Sequence, residues 1–387
     1  MDELTPASVA SIGQRLRVAR EAAGLSARAV SAALATHGRI TSHTTICSYE
    51  TGASTPEISD INCLAELYGR SPAWFLTNGP LLTGARYRAL KSVRTRDRRA
   101  FEGEAAGWFN AYFQAENILG DFLTPEELGP DAHESGRAAA EKVRRVYKFG
   151  DYPIPSICRL AENFGIRVIQ LDSPARIDGI AASFGTNNVV TVNPAQCSDR
   201  TRMSVAHELG HHILNHCGKA ARHDEKAAER EAMEFASHLL IPDSQLKAAF
   251  ADSSMVRLVQ YKERFGVSLA AMIFRAHGCG IISNKTYKNL WIEFSRLGWR
   301  QDEPGYVGSD RPFRMEILFD IAIRGGKLTA SQIALLAGVP ERRVLQRIAL
   351  AMGTRPMHSP AAAAPGNYKF DEFIPKRQPD IYGDQNA

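Results

Sequence analysis

Thr201–His216 reads TRMSVAHELGHHILNH. On a helix, residues four apart share a face, so His207 and His211 point the same way. Two imidazoles so placed can hold one Zn²⁺. Glu208, beside the first of them, is positioned to take a proton from water that such an ion activates. Val205, Leu209 and Ile213, with Ala206 and Leu214, form an apolar stripe, so the helix packs on a core. Histidines next to that stripe would be costly without a bound partner. This separates the stretch from a surface helix that merely carries histidines.

A catalytic zinc takes three protein ligands and keeps one position open. Glu229–Pro242, EREAMEFASHLLIP, offers the third ligand. Ala232, Phe235, Ala236, Leu239 and Leu240 recur at helical spacing, and Pro242 stops the helix. Glu229 lies one turn before Ala232, at the edge of the buried face. Glu231, four residues before Phe235, is its rival. Together, AHELGHHILNH and ExEAxxFAxxLLIP resemble the ImmA/IrrE family of metallopeptidases, over roughly residues 138–242. The resemblance implies an α+β zincin-like (gluzincin) fold with His207, His211 and Glu229 as zinc ligands, Glu208 as general base and Glu231 as the fallback ligand. Three strands are expected ahead of the zinc helix, at Arg167–Leu171, Asp178–Phe184 and Asn188–Asn193. Gluzincin peptidases lay substrate backbone along an edge strand, and Ile180–Phe184 is the candidate edge. His212, His216, His223 and His238 read as surface or cap residues, with one of them eligible as a fourth ligand or transition-state donor.

The first eighty residues alternate caps and short apolar helices. Ile12–Gly24 is helical, with Leu16 and Ala19 inward and Arg15, Arg17 and Arg20 outward. Ser26 caps Ala27–Ala35, and Ser42 caps His43–Tyr49. Ile58, Ile61, Leu64, Ala65 and Leu67 mark another helix, and SPAWFL closes the set. RLRVAREAAGLS, TICSYETGASTPEISDINCLAELYG and SPAWFL resemble the Xre/Cro-type helix-turn-helix family. In such domains the second helix of the motif enters the major groove. That match implies Ser42, His43, Thr44, Thr45 and Ser48 facing bases or phosphates, and Arg20 and Arg39 reaching the backbone. The turn between Leu34 and Ser42 is longer than the family's usual one, and Ala27 and His43 stand where glutamines are frequent.

The chain of 387 residues is expected to be multidomain and mainly α with a small β-sheet. Residues 1–82 form the helix-turn-helix bundle, 83–130 a basic and aromatic helical linker, 131–260 the peptidase-like domain, 261–355 a C-terminal helical region and 356–387 a disordered tail. Arg86, Arg88, Lys91, Arg94, Arg96, Arg98 and Arg99 stand against Asp97 alone, a run suited to phosphates beside an operator or to a solvated linker. Lys262–Cys279 reads as a helix, and GWRQDEP (298–304) follows it, as in regulators that join the two families. Ser331–Pro340 looks like a second helix-turn-helix and is read as a packing module. The six cysteines are dispersed, which fits reduced thiols in a cytoplasm. No segment suits a membrane span.

These features point to a transcriptional regulator that binds a double-stranded DNA operator, as a homodimer, and carries a zinc-dependent endopeptidase domain. It would cleave a protein substrate, a repressor or itself, on a stress signal. The alternative is a non-proteolytic regulator that uses the same fold to sense zinc or a metabolite.

Overall fold

The computed structural model describes residues 12–36, 38–70, 72–76, 82–89, 93–126, 128, 135–173, 177–195, 198–216, 225–251, 254–300 and 302–353. The tail expected over 356–387, and Cys197, Cys217 and His223, lie outside them. The first helices are α1 (Ile12–Ala22), α2 (Ala27–Thr36), α3 (His43–Thr51), α4 (Ile58–Tyr68) and α5 (Pro72–Leu76). Strand β1 (Leu82–Ala89) and the long helix α6 (Thr95–Leu119) follow. Next come α7 (Gly136–Val146), α8 (Ile157–Asn163), β2 (Arg167–Gln170), β3 (Ile177–Phe184) and β4 (Asn187–Val192). The central pair is α9 (Ser198–Ile213) and α10 (Glu225–Leu240). The chain continues through α11 (Asp243–Ala249), α12 (Met255–Phe265), α13 (Leu269–Gly278) and α14 (Asn284–Arg296). It ends in α15 (Arg314–Arg324), α16 (Ala330–Ala337) and α17 (Glu341–Ala351). Among the described residues, no helix is long and apolar enough to cross a membrane.

Two compact units result. One comprises Met1–Thr55, Asn78–Ala106 and Leu123–Pro312, the other Pro56–Thr77, Gly107–Phe122 and Phe313–Ala387. In the first, the four strands are ordered β1-β3-β4-β2. β3 pairs antiparallel with β1 and β4, and β2 runs parallel to β4. The strands expected from the Val/Ile runs appear as β2, β3 and β4, each end within a residue of its expected place. Two expectations change. Residues 82–89 form a strand rather than part of a helical linker, because Ala85–Ala89 alternates apolar and basic residues with the period of a strand. Consequently Ile180–Phe184 is an inner strand rather than an edge.

The core of this unit lies where α9 and α10 meet the sheet and α7. Val143, Val190, Val205, Leu209, Phe235 and Leu239 are all buried there. A Cβ on Gly210 would stand 2.9 Å from the Phe235 ring and 3.1 Å from the Ala232 carbonyl oxygen. Gly210 therefore lets α9 lie against α10 closer than any other residue would permit.

Buried charge fixes the first turns of α9. Arg202 donates to Asp310 Oδ2 at 2.7 Å and to the Ile154 carbonyl at 2.7 Å. Asp310 also accepts from the Ser156 hydroxyl and the Ile157 amide, each at 2.7 Å, at the start of α8. Lys262 bridges Asp199 in the first turn of α9, at 3.1 Å, and Glu303, at 2.9 Å. Glu303 in turn accepts the amides of Leu269 at 2.8 Å and Ala270 at 3.1 Å. This carboxylate, with Ser268 as N-cap, starts a new helix and divides the run expected as one helix into α12 and α13.

Also in this unit, α1 packs on α3. Arg15, expected outward, is buried, because the buried stripe of α1 takes in Gly13 and Arg15 beside Leu16 and Ala19. In the second unit, Trp108 stacks on Phe319 at 6.5 Å between centroids, and Arg347 lies 4.6 Å above the indole. Buried Arg314 meets Glu116, Asp121 at 2.6 Å and the Tyr112 hydroxyl at 3.0 Å. Asn110 donates to the Leu336 carbonyl at 3.0 Å, so the 331–340 run lies packed on α6.

Asp310→Ala would leave the Arg202 guanidinium buried without its carboxylate. A loss of about 3–5 kcal/mol in urea unfolding is expected. A loss below about 1 kcal/mol would show that this pair does not anchor α9.

Candidate metal centre and DNA-binding face

Gly210 sits between His207 and His211, and the close approach it permits brings α10 beneath both imidazoles. His207 Nε2 lies 3.1 Å from His211 Nε2 and 3.1 Å from Glu229 Oε2. His211 Nε2 lies 3.3 Å from Glu229 Oε1. Both imidazoles are buried, while the Glu229 side chain is half exposed, so the carboxylate closes the group from the solvent side. Zinc–nitrogen and zinc–oxygen bonds of about 2.0–2.1 Å at tetrahedral angles set donors about 3.3 Å apart. The three contacts match that spacing, and two imidazoles with one carboxylate are the donor set of a catalytic zinc. Burial above all, then the charges of Arg86 and His207, holds the His211 imidazole well below its ordinary pKa. It is therefore neutral, the form that binds metal.

The rival glutamate has a different neighbour. Glu231 Oε2 lies 3.1 Å from His216 Nε2, and His216 Nδ1 lies 3.0 Å from His211 Nδ1. His211 thus offers one ring nitrogen to Glu229 and His207 and the other to a His216–Glu231 pair. Outer contacts of this kind fix ring orientation and tautomer. His216 was legible only as an extra histidine. Its place follows from the turn after α9, where Asn215 takes a positive φ of 56° and sends His216 back against His211.

Glu208 faces the sheet. Its Oε2 accepts from Arg86 Nη2 of β1 at 2.7 Å. The cleft here is lined by Gly84, Arg86, Ala181, Glu208, His211 and His212, among others. Arg86, one of the basic run read as suited to phosphates or to a solvated linker, is an arginine of this cleft. His212 lies 2.7 Å, through Nδ1, from the Asn188 side-chain amide, and burial pushes its pKa down. His238 is elsewhere, 2.9 Å from Arg275 and 3.3 Å from Asp243.

On α3, Ser42 is the N-cap and accepts from the Thr45 amide at 3.1 Å. Ser42, His43 and Thr44 are exposed, Thr45 and Ser48 half-buried, and Ile46 and Glu50 buried. Arg39 is half-buried. Arg20 turns inward: Nε donates to Glu50 Oε1 at 2.5 Å, Nη2 to Oε2 at 2.8 Å and Nη1 to the Leu25 carbonyl at 2.8 Å. This bidentate clamp ties α1 to the end of α3, so Arg20 braces the exposed face from behind.

A family model for the IrrE N-terminal-like domain matches residues 161–277, and one for a helix-turn-helix domain matches residues 11–74. The chain thus joins a DNA-binding helix-turn-helix to a peptidase-like domain. It is a regulator with a peptidase-like domain, built as the two sequence resemblances imply. None of the curated proteins compared with the chain matches it.

The two glutamates of α10 should separate in a zinc titration. Glu229→Ala is expected to lower zinc affinity by at least a hundredfold, whereas Glu231→Ala, which loses only an outer contact, lowers it by about tenfold. The reverse order would make Glu231 the ligand.

Proposed function

We propose that the protein is a DNA-binding regulator whose second domain is a zinc-dependent endopeptidase acting on a protein substrate, a repressor or the chain itself. The observation that carries this reading is the meeting of His207, His211 and Glu229 beside Glu208. Zinc held by those three would acidify water and polarise a peptide carbonyl. Glu208 takes the proton of the attacking water and delivers it to the leaving amine. His216 and Glu231 hold the His211 ring in line, and burial keeps that imidazole neutral. Residues of β1, β3, β4 and α9 line the cleft, and an extended peptide can add to such strands.

At the other end, exposed Ser42, His43 and Thr44, with Thr45 and Ser48 beside them, would meet the major groove, and Arg39 a phosphate. Paired half-sites would be read by a homodimer. Cleavage would follow a stress signal.

A second reading, a zinc- or metabolite-sensing regulator without proteolysis, is favoured by one contact. The carboxylate that would serve as base is engaged by Arg86 at 2.7 Å. Glu208→Gln separates the two readings. If Glu208 is the base, this variant keeps zinc and DNA binding and loses at least a thousandfold in peptide hydrolysis, and it no longer relieves repression of a reporter. A variant that relieves repression as the unaltered protein does would leave hydrolysis out of the switch.

A further inference from the structure

β1 lies along the cleft. It is an extended segment lying antiparallel along β3, with Arg86 opposite Ala181 and Leu82 opposite Phe184. Its register breaks between Thr83 and Arg86 and again between Arg88 and Ala89. Gly84 sits at the first break with a φ of 62°, a conformation that costs glycine little. There the strand bulges, and Arg86 reaches across to the Glu208 carboxylate at 2.7 Å.

Leu82 and Ala85 are half-buried, and Thr83, Gly84 and Arg86 are exposed. The main-chain ladder and the Arg86–Glu208 ion pair hold the strand along the cleft. Backbone pairing of this kind serves any extended chain. The same cleft is lined by β3, β4 and α9, with His211 and Glu208 on its floor.

We propose that the β3 edge is a binding site for an extended, arginine-bearing peptide, and that residues 82–89 are its resident intramolecular occupant. In the resting chain the strand covers the cleft and Arg86 occupies the carboxylate that would otherwise face water. A tethered segment competes at an effective concentration near millimolar. A peptide from another protein therefore enters only when β1 is loosened. The segment begins at Leu82, soon after the helix-turn-helix match ends at residue 74. This regulation rests on the peptidase reading for its consequence, but the occupancy does not.

The test uses the full-length zinc-loaded protein and a fluorescein-labelled peptide of the β1 sequence, LTGARYRA. Arg86→Glu, which sets a negative charge against Glu208, should bind the peptide at least tenfold more tightly than the unaltered protein in anisotropy titrations. Replacing the peptide's own Arg86 counterpart by glutamate should abolish that gain. In the unaltered protein, hydrogen exchange should show the amides of 82–89 protected, and the Arg86→Glu variant should lose at least tenfold of that protection. Exchange of 82–89 in the unaltered protein at the rate of an unfolded chain would overturn the proposal. So would equal peptide binding by the two proteins. Mass spectrometry of the peptide after titration reads hydrolysis separately. Binding as expected with no hydrolysis in either protein would remove the peptidase reading and leave the occupancy standing.

Discussion

The contact between α9 and α10 is the constraint on which the candidate centre depends. Two histidines on one helix make half a metal site, and the other half must come from a neighbour at a fixed height and distance. Gly210 provides the distance, since any side chain there would strike Phe235 and the Ala232 carbonyl. Phe235 provides the height, because it packs beneath the HELGH turn and sets Glu229 against both imidazoles. The motif's glycine is thus a packing residue, and its role is separate from the chemistry of its neighbours.

Around this contact the chain distributes buried charge. Arg202 with Asp310 and Lys262 with Asp199 and Glu303 tie the start of α9 to distant parts of the same unit. Such groups cost desolvation, and their geometry must repay it with several hydrogen bonds each. Here each carboxylate also serves backbone amides or hydroxyls: Asp310 holds the start of α8, and Glu303 the start of α13. The pairs therefore specify where helices begin more than they add to stability. The Arg20–Glu50 clamp instead ties α1 to the end of α3.

What could be read from residue order followed from period and cap. The spacing of His207 and His211, the strands β2 to β4, and the Ser42 cap are local properties, and the structure places each where its spacing suggests. The choice between Glu229 and Glu231 was not local. Two residues apart on a helix, they point in different directions, and which one meets His207 depends on how α10 rolls against α9. Arg86 was hidden for another reason. Seven basic residues between 86 and 99 invite a reading by charge, which masks the strand alternation of Ala85–Ala89. Arg20 and Arg15 were read as outward on an amphipathic helix, yet Arg20 turns inward to Glu50 and Arg15 is buried.

β1 also bears on how the protein is divided for study. A fragment begun at residue 131, where the composition suggests a boundary, would be missing one of its own sheet strands. The raw flank of β3 would then present unpaired amide and carbonyl groups to solvent, the kind of surface that recruits a second chain and promotes aggregation. Insolubility of such a truncation would report on the cut rather than on the fold, and a soluble fragment has to begin ahead of Leu82.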